Sequence, residues 1–212
     1  MTAAELRKEY SQRSLHENEM APRAMDQFER WWLEALQSEL EEANAMTLAT
    51  ASADGLPSAR IVLLKGYHPK GFLFYTNYNS FKGRQLQENP RACLVFFWKA
   101  LERQIRITGV VEKISQRESD AYFSSRPVGS RIGAWASPQS EVIQSGPWLL
   151  EQAGQIEKKF AGGEIPRPPH WGGYLVRPVT IEFWQGRPNR LHDRLLYSLQ
   201  ENGEWSIERL AP

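Results

Sequence analysis

The chain has 212 residues and carries 26 Lys and Arg against 25 Asp and Glu, a formal net charge of +1. That length supports one compact domain with a substantial core, or at most two small ones, and the near-balance of charge argues against a general nucleic-acid binder. No apolar run approaches the length that crosses a bilayer, MTAAELRKEY lacks the apolar segment of a secretory signal, and the single cysteine, Cys93, excludes an intrachain disulfide and makes a reducing, cytoplasmic home the simplest one.

Residues 1–22 are polar and read as a mobile arm with a short helix, and 23–212 as a single domain. From Ala24 to Ala43 the apolar positions Met25, Phe28, Trp31, Trp32, Ala35, Leu36 and Leu40 follow a helical period. MTLATAS and SARIVLLKGY read as strands around the turn ADGLP, and HPKG turns the chain into the strand GFLFYT. Residues 79–88 predict a short helix with Asn79 or Ser80 as its cap. RACLVFFW and RQIRITGVVEKI are two further strands. Ser115 and Glu118 have capping-box spacing, so a helix is expected over 116–124, stopped by Arg126-Pro127. Residues 128–147 read as irregular or briefly helical. A helix from about 147 to 160 ends at Gly162-Gly163, and EIPRPPHWGG is a stiff connector. GYLVRPVTIEFWQG, LHDRLLYSLQ and EWSIERLAP follow as strands, with Asn202-Gly203 as a hairpin turn. Seven or eight short strands joined by hairpin-length turns, with three or four helices inserted, suggest a mainly β, antiparallel barrel with peripheral helices rather than a doubly wound parallel sheet.

The densest chemistry lies at Trp184–Arg194, WQGRPNRLHDR. If the chain is extended after the turn-forming run Gly186–Asn189, then Arg190, His192 and Arg194 share a face. A row of cations asks for an anion against it. Arginine suits a phosphate, which it binds with two parallel hydrogen bonds, and Trp184 offers a flat surface beside it. In RIVLLK, Arg60 and Lys65 are five apart and fall on opposite faces of a continuous strand. They are either snorkelling surface cations or cations serving two separate anionic sites. Tyr75-Thr76, followed by Ser80 and Lys82 at a helix start, could hold a phosphate or form an ordinary cap with a solvated lysine. Gln104 can donate to and accept from the edge of a heteroaromatic ring, or simply be exposed. Tyr122, Arg126 and Ser130 supply a phenol, a guanidinium and a hydroxyl at four-residue spacing, and Gln139-Ser140 adds polar donors in an irregular segment. There is no glycine-rich phosphate loop, no nucleophile elbow, and no metal-ligand spacing among His16, His68, His170 and His192. Cys93 reads as a small buried apolar residue.

Taken together, RIVLLK (60–65), GFLFYTN (71–77), LERQIRITG (101–109), YFSSRP (122–127), IGAWASPQS (132–140), WGGY (171–174), IEFWQG (181–186) and RLHDR (190–194) resemble the pyridoxamine 5′-phosphate oxidase family over nearly the whole chain. The resemblance implies a split-barrel homodimer that binds flavin mononucleotide (FMN), with active sites at the interface. It implies oxidation of pyridoxamine 5′-phosphate and pyridoxine 5′-phosphate to pyridoxal 5′-phosphate. A hydride passes from C4′ to flavin N5, O2 reoxidises the flavin to give H2O2, and ammonia leaves from the amine substrate.

By matching motif, the implied FMN contacts are Arg60, Ile61, Val62, Leu63, Leu64, Lys65, Tyr75, Thr76, Lys82, Gln104, Gln139, Ser140, Trp184 and Arg194. The implied substrate contacts are Lys65, Tyr122, Arg126 and Ser130 around the phosphate, and Arg190, Leu191 and His192 beside the pyridine ring. Arg190 and His192 are the implied catalytic pair, and no metal is implied. Arg7, Lys8, Glu9 and Tyr10 match a segment that can fold over the substrate. One departure stands out: many members have two consecutive basic residues where this chain has Phe81-Lys82, and Arg84 is a candidate to compensate. Two other readings remain open: a split-barrel flavin reductase of another substrate, and a non-catalytic pyridoxal 5′-phosphate carrier that needs no flavin.

Overall fold

A hairpin of β1 (Ala45–Ala51) and β2 (Pro57–Leu63) runs in unbroken register from Ala45↔Leu63 to Ala51↔Pro57. Its connecting turn places Gly55 at φ +89°, a left-handed conformation that favours glycine. β3 (Gly66–His68) pairs with β4 (Gly71–Asn77) instead of β1. β5 (Arg91–Trp98), β6 (Arg103–Lys113), β7 (Trp171–Gln185), β8 (Asp193–Leu199) and β9 (Trp205–Arg209) complete a nine-stranded antiparallel sheet in this computed structural model, which describes residues 9–38 and 40–212.

The strand path β2-β1-β5-β6-β7-β4-β3 begins and ends on strands separated in the chain only by Leu64 and Lys65. On a flat sheet the two ends would lie about 29 Å apart, whereas the short link spans about 10 Å, so the sheet has to curl into a barrel. This corrects the single strand expected over SARIVLLKGY. Leu64 N–H still donates to Asn44 O, next to β1 (2.8 Å), but Lys65 N–H donates to Leu73 O of β4 (2.9 Å). The chain changes partner between these two residues, so Lys65 sits exposed at a corner and not on a face of β2.

Period-two alternation builds the barrel interior. Met46, Leu48, Leu94, Phe96, Ile105, Ile107, Ile181 and Phe183 are buried on successive inward positions. The helix α1 (Ala24–Leu36) closes over them with Ala24, Phe28, Trp31 and Ala35. Phe28 is fully buried, with its ring 4.8 Å from Phe72, 5.1 Å from Tyr67 and 5.6 Å from Phe96. Phe28→Ala is expected to cost about 3–5 kcal/mol of stability, read as a lowered denaturant midpoint. The helix stops short of the predicted Ala43. Leu40 packs on the core from the following loop, which turns at Glu42 (φ +48°).

The remaining helices lie outside the barrel. Ser80 caps α2 (Phe81–Glu88), its side chain accepting from Gly83 N–H. The Ser115–Glu118 capping box opens α3 (Gln116–Ser125) as the sequence predicts. The segment expected to be irregular or briefly helical contains the short α4 (Val128–Ala136), and α5 (Gly146–Lys159) follows. Phe123, Ile132, Ile165 and Trp171 form a second apolar cluster beneath them.

The described part of the N-terminal segment docks on the barrel. Ser11 and Gln12 N–H groups donate to the buried Glu102 carboxylate (2.9 and 3.1 Å), and Leu15 N–H donates to Asp193 Oδ2 (3.0 Å). Leu15 and Met20 enter the core. Arg7 and Lys8 lie outside the described residues. No helix among the described residues is long and apolar enough to cross a membrane.

Candidate active site

Two neighbouring cations form the first cluster. Arg60, in β2, donates to Leu48 O (3.1 Å), Thr50 Oγ1 (2.6 Å) and Ser58 Oγ (2.6 Å). Lys82, in the first turn of α2, donates to Gln139 Oε1 (3.1 Å) and reaches Thr76 Oγ1 and Ser80 Oγ at 3.4 Å. Among the described residues neither cation has a carboxylate partner. Burial holds both pKa values below their ordinary ranges, and for Lys82 the nearby Arg60 charge adds to the effect. Half-buried like charges with only neutral partners are unfavourable until an anion joins them. Ser140, beside Gln139, holds φ +74°, the kind of backbone strain that clusters at ligand sites. Arg84, the candidate to compensate for Phe81, donates through its guanidinium to the Asn79 carbonyl, and Phe81 itself is exposed.

A second cluster is aromatic with one cation. Tyr75 stacks on Tyr122, ring centres 3.8 Å apart and 17° from parallel, and Trp171 continues the stack 5.5 Å from Tyr75. The Arg126 guanidinium lies 4.6 Å above Trp171. Its Nη1 is buried with no hydrogen-bond partner, and burial lowers its pKa. Burial raises the pKa of both Tyr75 and Tyr122. Arg131 Nε is likewise buried and unpartnered, a residue the sequence reading passed over. The structure leaves Ser130 and Lys65 exposed, and no hydrogen bond joins either to Tyr122 or Arg126.

The third cluster is the C-terminal loop and the strands beside it. Gln104, Trp184 and Arg194 pair in register across β6, β7 and β8. Residues 188–190 form a 3-10 turn, Asn189 and Arg190 have φ +56° and +61°, and β8 starts only at Asp193. The expected shared face of Arg190, His192 and Arg194 is therefore absent, because only Arg194 is on the strand. Its anion is internal: Nε donates to Glu182 Oε1 (2.7 Å), a buried carboxylate that also pairs with Arg106.

His192 lies 4.6 Å from Trp184, ring centre to ring centre, and the Tyr10 ring approaches both edge-on at 6.0 and 5.8 Å. Gly186 permits this approach, since a Cβ there would sit 2.6 Å from the Tyr10 ring. Leu191 is exposed beside them.

His192 Nδ1 accepts the Arg187 N–H (3.1 Å), which leaves the proton of the neutral ring on Nε2. Burial first, then the Arg190 charge, lowers its pKa below 6.5. The folded chain thus binds this proton more weakly than the unfolded one. The stability tied to this ring is intact above pH 6.5 and declines as pH falls through its depressed pKa. Nitrogen NMR of His192 should show the Nε2-protonated form at neutral pH and a midpoint below 6.5; a midpoint above it contradicts the assignment.

Among the described residues no hydrogen bond or ion pair links Arg60, Lys82, Tyr122 or Arg126 to Trp184, Arg190, His192 or Arg194. Comparison with known proteins gives two family matches. The family model "Pyridoxamine 5′-phosphate oxidase" matches residues 33–159, and "Pyridoxine 5′-phosphate oxidase C-terminal dimerisation region" matches 171–212.

The chain belongs to the pyridoxamine 5′-phosphate oxidase family.

Relatives named pyridoxine/pyridoxamine 5′-phosphate oxidase include one from Nostoc punctiforme, 56% identical over 211 residues (100% of this chain, 99% of the relative). Another, from Cupriavidus necator, is 57% identical over 209 residues (99% and 98%). Among solved structures, PhzG from Burkholderia lata, in complex with tetrahydrophenazine-1-carboxylic acid, superposes with a TM-score of 0.87 at 30% identity, covering 93% of this chain and 98% of PhzG. The antiparallel split barrel expected from the sequence is the fold of this oxidase family member. The expected enzyme class and the expected cofactor, FMN, stand with it. The Arg60–Lys82 cluster fits the FMN phosphate, since it offers two desolvated cations and neutral oxygens but no competing carboxylate.

Proposed function

We propose that this oxidase converts pyridoxamine 5′-phosphate and pyridoxine 5′-phosphate to pyridoxal 5′-phosphate as a homodimer. The observation that carries the reading is the cation pair Arg60–Lys82 and the single cation Arg126 beside Tyr122, none with a carboxylate partner among the described residues. The reaction brings together two phosphate monoesters, cofactor and substrate, and each needs such a cluster. When bound, FMN would supply the redox chemistry, accepting the hydride lost from the substrate and passing the electrons to O2 to give H2O2; with the amine substrate, water hydrolyses the resulting imine and ammonia leaves.

The chain's residues bind, orient and polarise. Arg60 and Lys82, with Thr76, Gln139 and Ser140, hold the cofactor phosphate, and the β2 segment Ile61–Leu64 with Tyr75 runs alongside. Arg126 and Tyr122, with Ser130 and Lys65, hold the substrate phosphate. Gln104, Trp184 and Arg194 meet the flavin ring. Arg190 and His192 flank the pyridine ring next to Leu191. Arg190 stabilises negative charge developing at the C4′ substituent, and the neutral His192 presents its Nε2–H as a donor. Tyr10, with Glu9, covers the substrate and excludes water.

The homodimer assignment is supported by three observations. Trp184, Arg190, His192 and Arg194 of the third cluster fall within the dimerisation region, among the described residues no hydrogen bond or ion pair joins them to Arg60, Lys82, Tyr122 or Arg126, and Ile61, Phe97 and Leu191 expose large apolar side chains. One chain's Trp184–Arg194 loop then completes the other's phosphate clusters. A cytoplasmic setting, with its reduced Cys93, suits this reading.

The test is a yellow purified protein whose flavin absorbance bleaches when pyridoxine 5′-phosphate is added without air and returns with oxygen. A yellow protein unresponsive to either vitamer favours a reductase of another substrate. A colourless one that binds pyridoxal 5′-phosphate favours a carrier.

A further inference from the structure

We propose that Gln85, which touches no ligand in the reading above, is the positioning residue for Arg60 at the cofactor-phosphate site. The inference rests on the assignment of Arg60 and Lys82 to that phosphate.

Gln85 is buried in α2. Its Oε1 accepts from Thr50 Oγ1 and from Ser58 Oγ, each at 2.6 Å, and its Nε2 faces Leu56 O at 3.4 Å. The same two hydroxyls accept from Arg60, at 2.6 Å each. Proton bookkeeping fixes the direction of this network. A guanidinium can only donate, so each hydroxyl accepts from Arg60 and must place its single proton elsewhere. Gln85 Oε1 takes both protons. With the amide turned over, one hydroxyl could donate only to the other, 3.4 Å away, the second proton would lack an acceptor, and Oε1 would face the Leu56 carbonyl. Only the observed orientation satisfies every group.

The consequence reaches the ligand. Arg60 has five N–H donors, and three are committed to Leu48 O, Thr50 and Ser58. The other two remain for an anion, and the hydroxyl pair sets the plane in which they lie. Lys82 is three residues before Gln85 on the same helix. α2 therefore sets both cations, Lys82 directly and Arg60 through the hydroxyls. With Phe81 contributing no charge and Arg84 turned to Asn79, the aim of Arg60 matters more in this chain.

The full-length chain, stripped of flavin, is titrated with FMN and with riboflavin, which lacks the phosphate, by fluorescence quenching. Wild type, Gln85→Leu, Thr50→Val and the double variant are compared. Gln85→Leu should raise the FMN Kd about tenfold and leave the riboflavin Kd within about twofold. Thr50→Val should weaken FMN in the same selective way, and the double variant should be no worse than the poorer single one, because both break one network. Equal weakening of both flavins would mean a structural role only, and an unchanged FMN Kd would overturn the proposal outright. If Gln85→Leu does not fold, Thr50→Val and Ser58→Ala carry the same comparison. If wild type itself does not prefer FMN to riboflavin, the phosphate assignment falls first. If it does and the variants match it, only the role of Gln85 falls.

Discussion

Arg190→Ala is expected to lower turnover by about 100-fold or more while FMN stays bound, the scale seen when one preorganised donor to a developing charge is removed. Arg190 is exposed, has no carboxylate partner among the described residues, and stands on a turn bracketed by Pro188 and the anchored Asp193. Asp193 holds that base in place by accepting from Leu15 N–H and pairing with Arg187 and Arg209. The side chain is thus presented outward from a fixed base, which suits a group that acts on a ligand. Its φ of +61° is unfavourable for any residue with a Cβ. Arg190→Gly should therefore lose the same activity while keeping or slightly raising thermal stability. Turnover per bound flavin is the quantity to measure. Loss of flavin with normal turnover per flavin would assign Arg190 to the cofactor instead.

Arg126→Ala should act on the substrate and spare the cofactor. A charge-assisted contact to phosphate is worth about 1.5–3 kcal/mol, so KM for both phosphorylated vitamers should rise roughly 10- to 150-fold. FMN affinity and kcat at saturation should change little. The ligand-free chain should become more stable, since Arg126 Nη1 is buried without a partner and burial already disfavours its charge. Arg126→Lys should recover little, because an ammonium replaces the planar fork that stacks on Trp171. A normal KM together with a lower melting temperature would make Arg126 a structural residue.

Local chemistry was the legible part of this chain. The Ser115–Glu118 capping box, the apolar run RACLVFFW and the proline stop at Arg126-Pro127 are short-range signals, and α3 and β5 lie where those signals put them. What escaped depended on distant partners. SARIVLLKGY reads as one strand because nothing within it marks the change from Asn44 to Leu73 as partner at Leu64-Lys65. Arg194 looked free for an anion because Glu182, its partner, is twelve residues earlier on the neighbouring strand. The row Arg190, His192, Arg194 required extended backbone, and the left-handed turn at Asn189-Arg190 removed it. Gln85 looked like any polar helical residue until Thr50 and Ser58 were brought against it. The resemblance supplied the ligand set as single residues. The proposed separation of that set between two chains rests on the hydrogen-bond network and on the dimerisation region matched over 171–212, neither of which a single residue displays.

That separation is the central claim: each active site takes its phosphate clusters from one chain and its Arg190–His192 loop from the other. Co-expressing an Arg126→Ala chain with an Arg190→Ala chain tests it directly. If sites are shared, half of the randomly formed dimers are mixed, and each mixed dimer has one site with both defects and one with neither. At substrate well below KM, where the Arg126→Ala defect shows, activity should then return to about a quarter of wild type, far above either variant alone. If each chain builds its own site, every site carries one defect, and the mixture would stay at the average of the two parents.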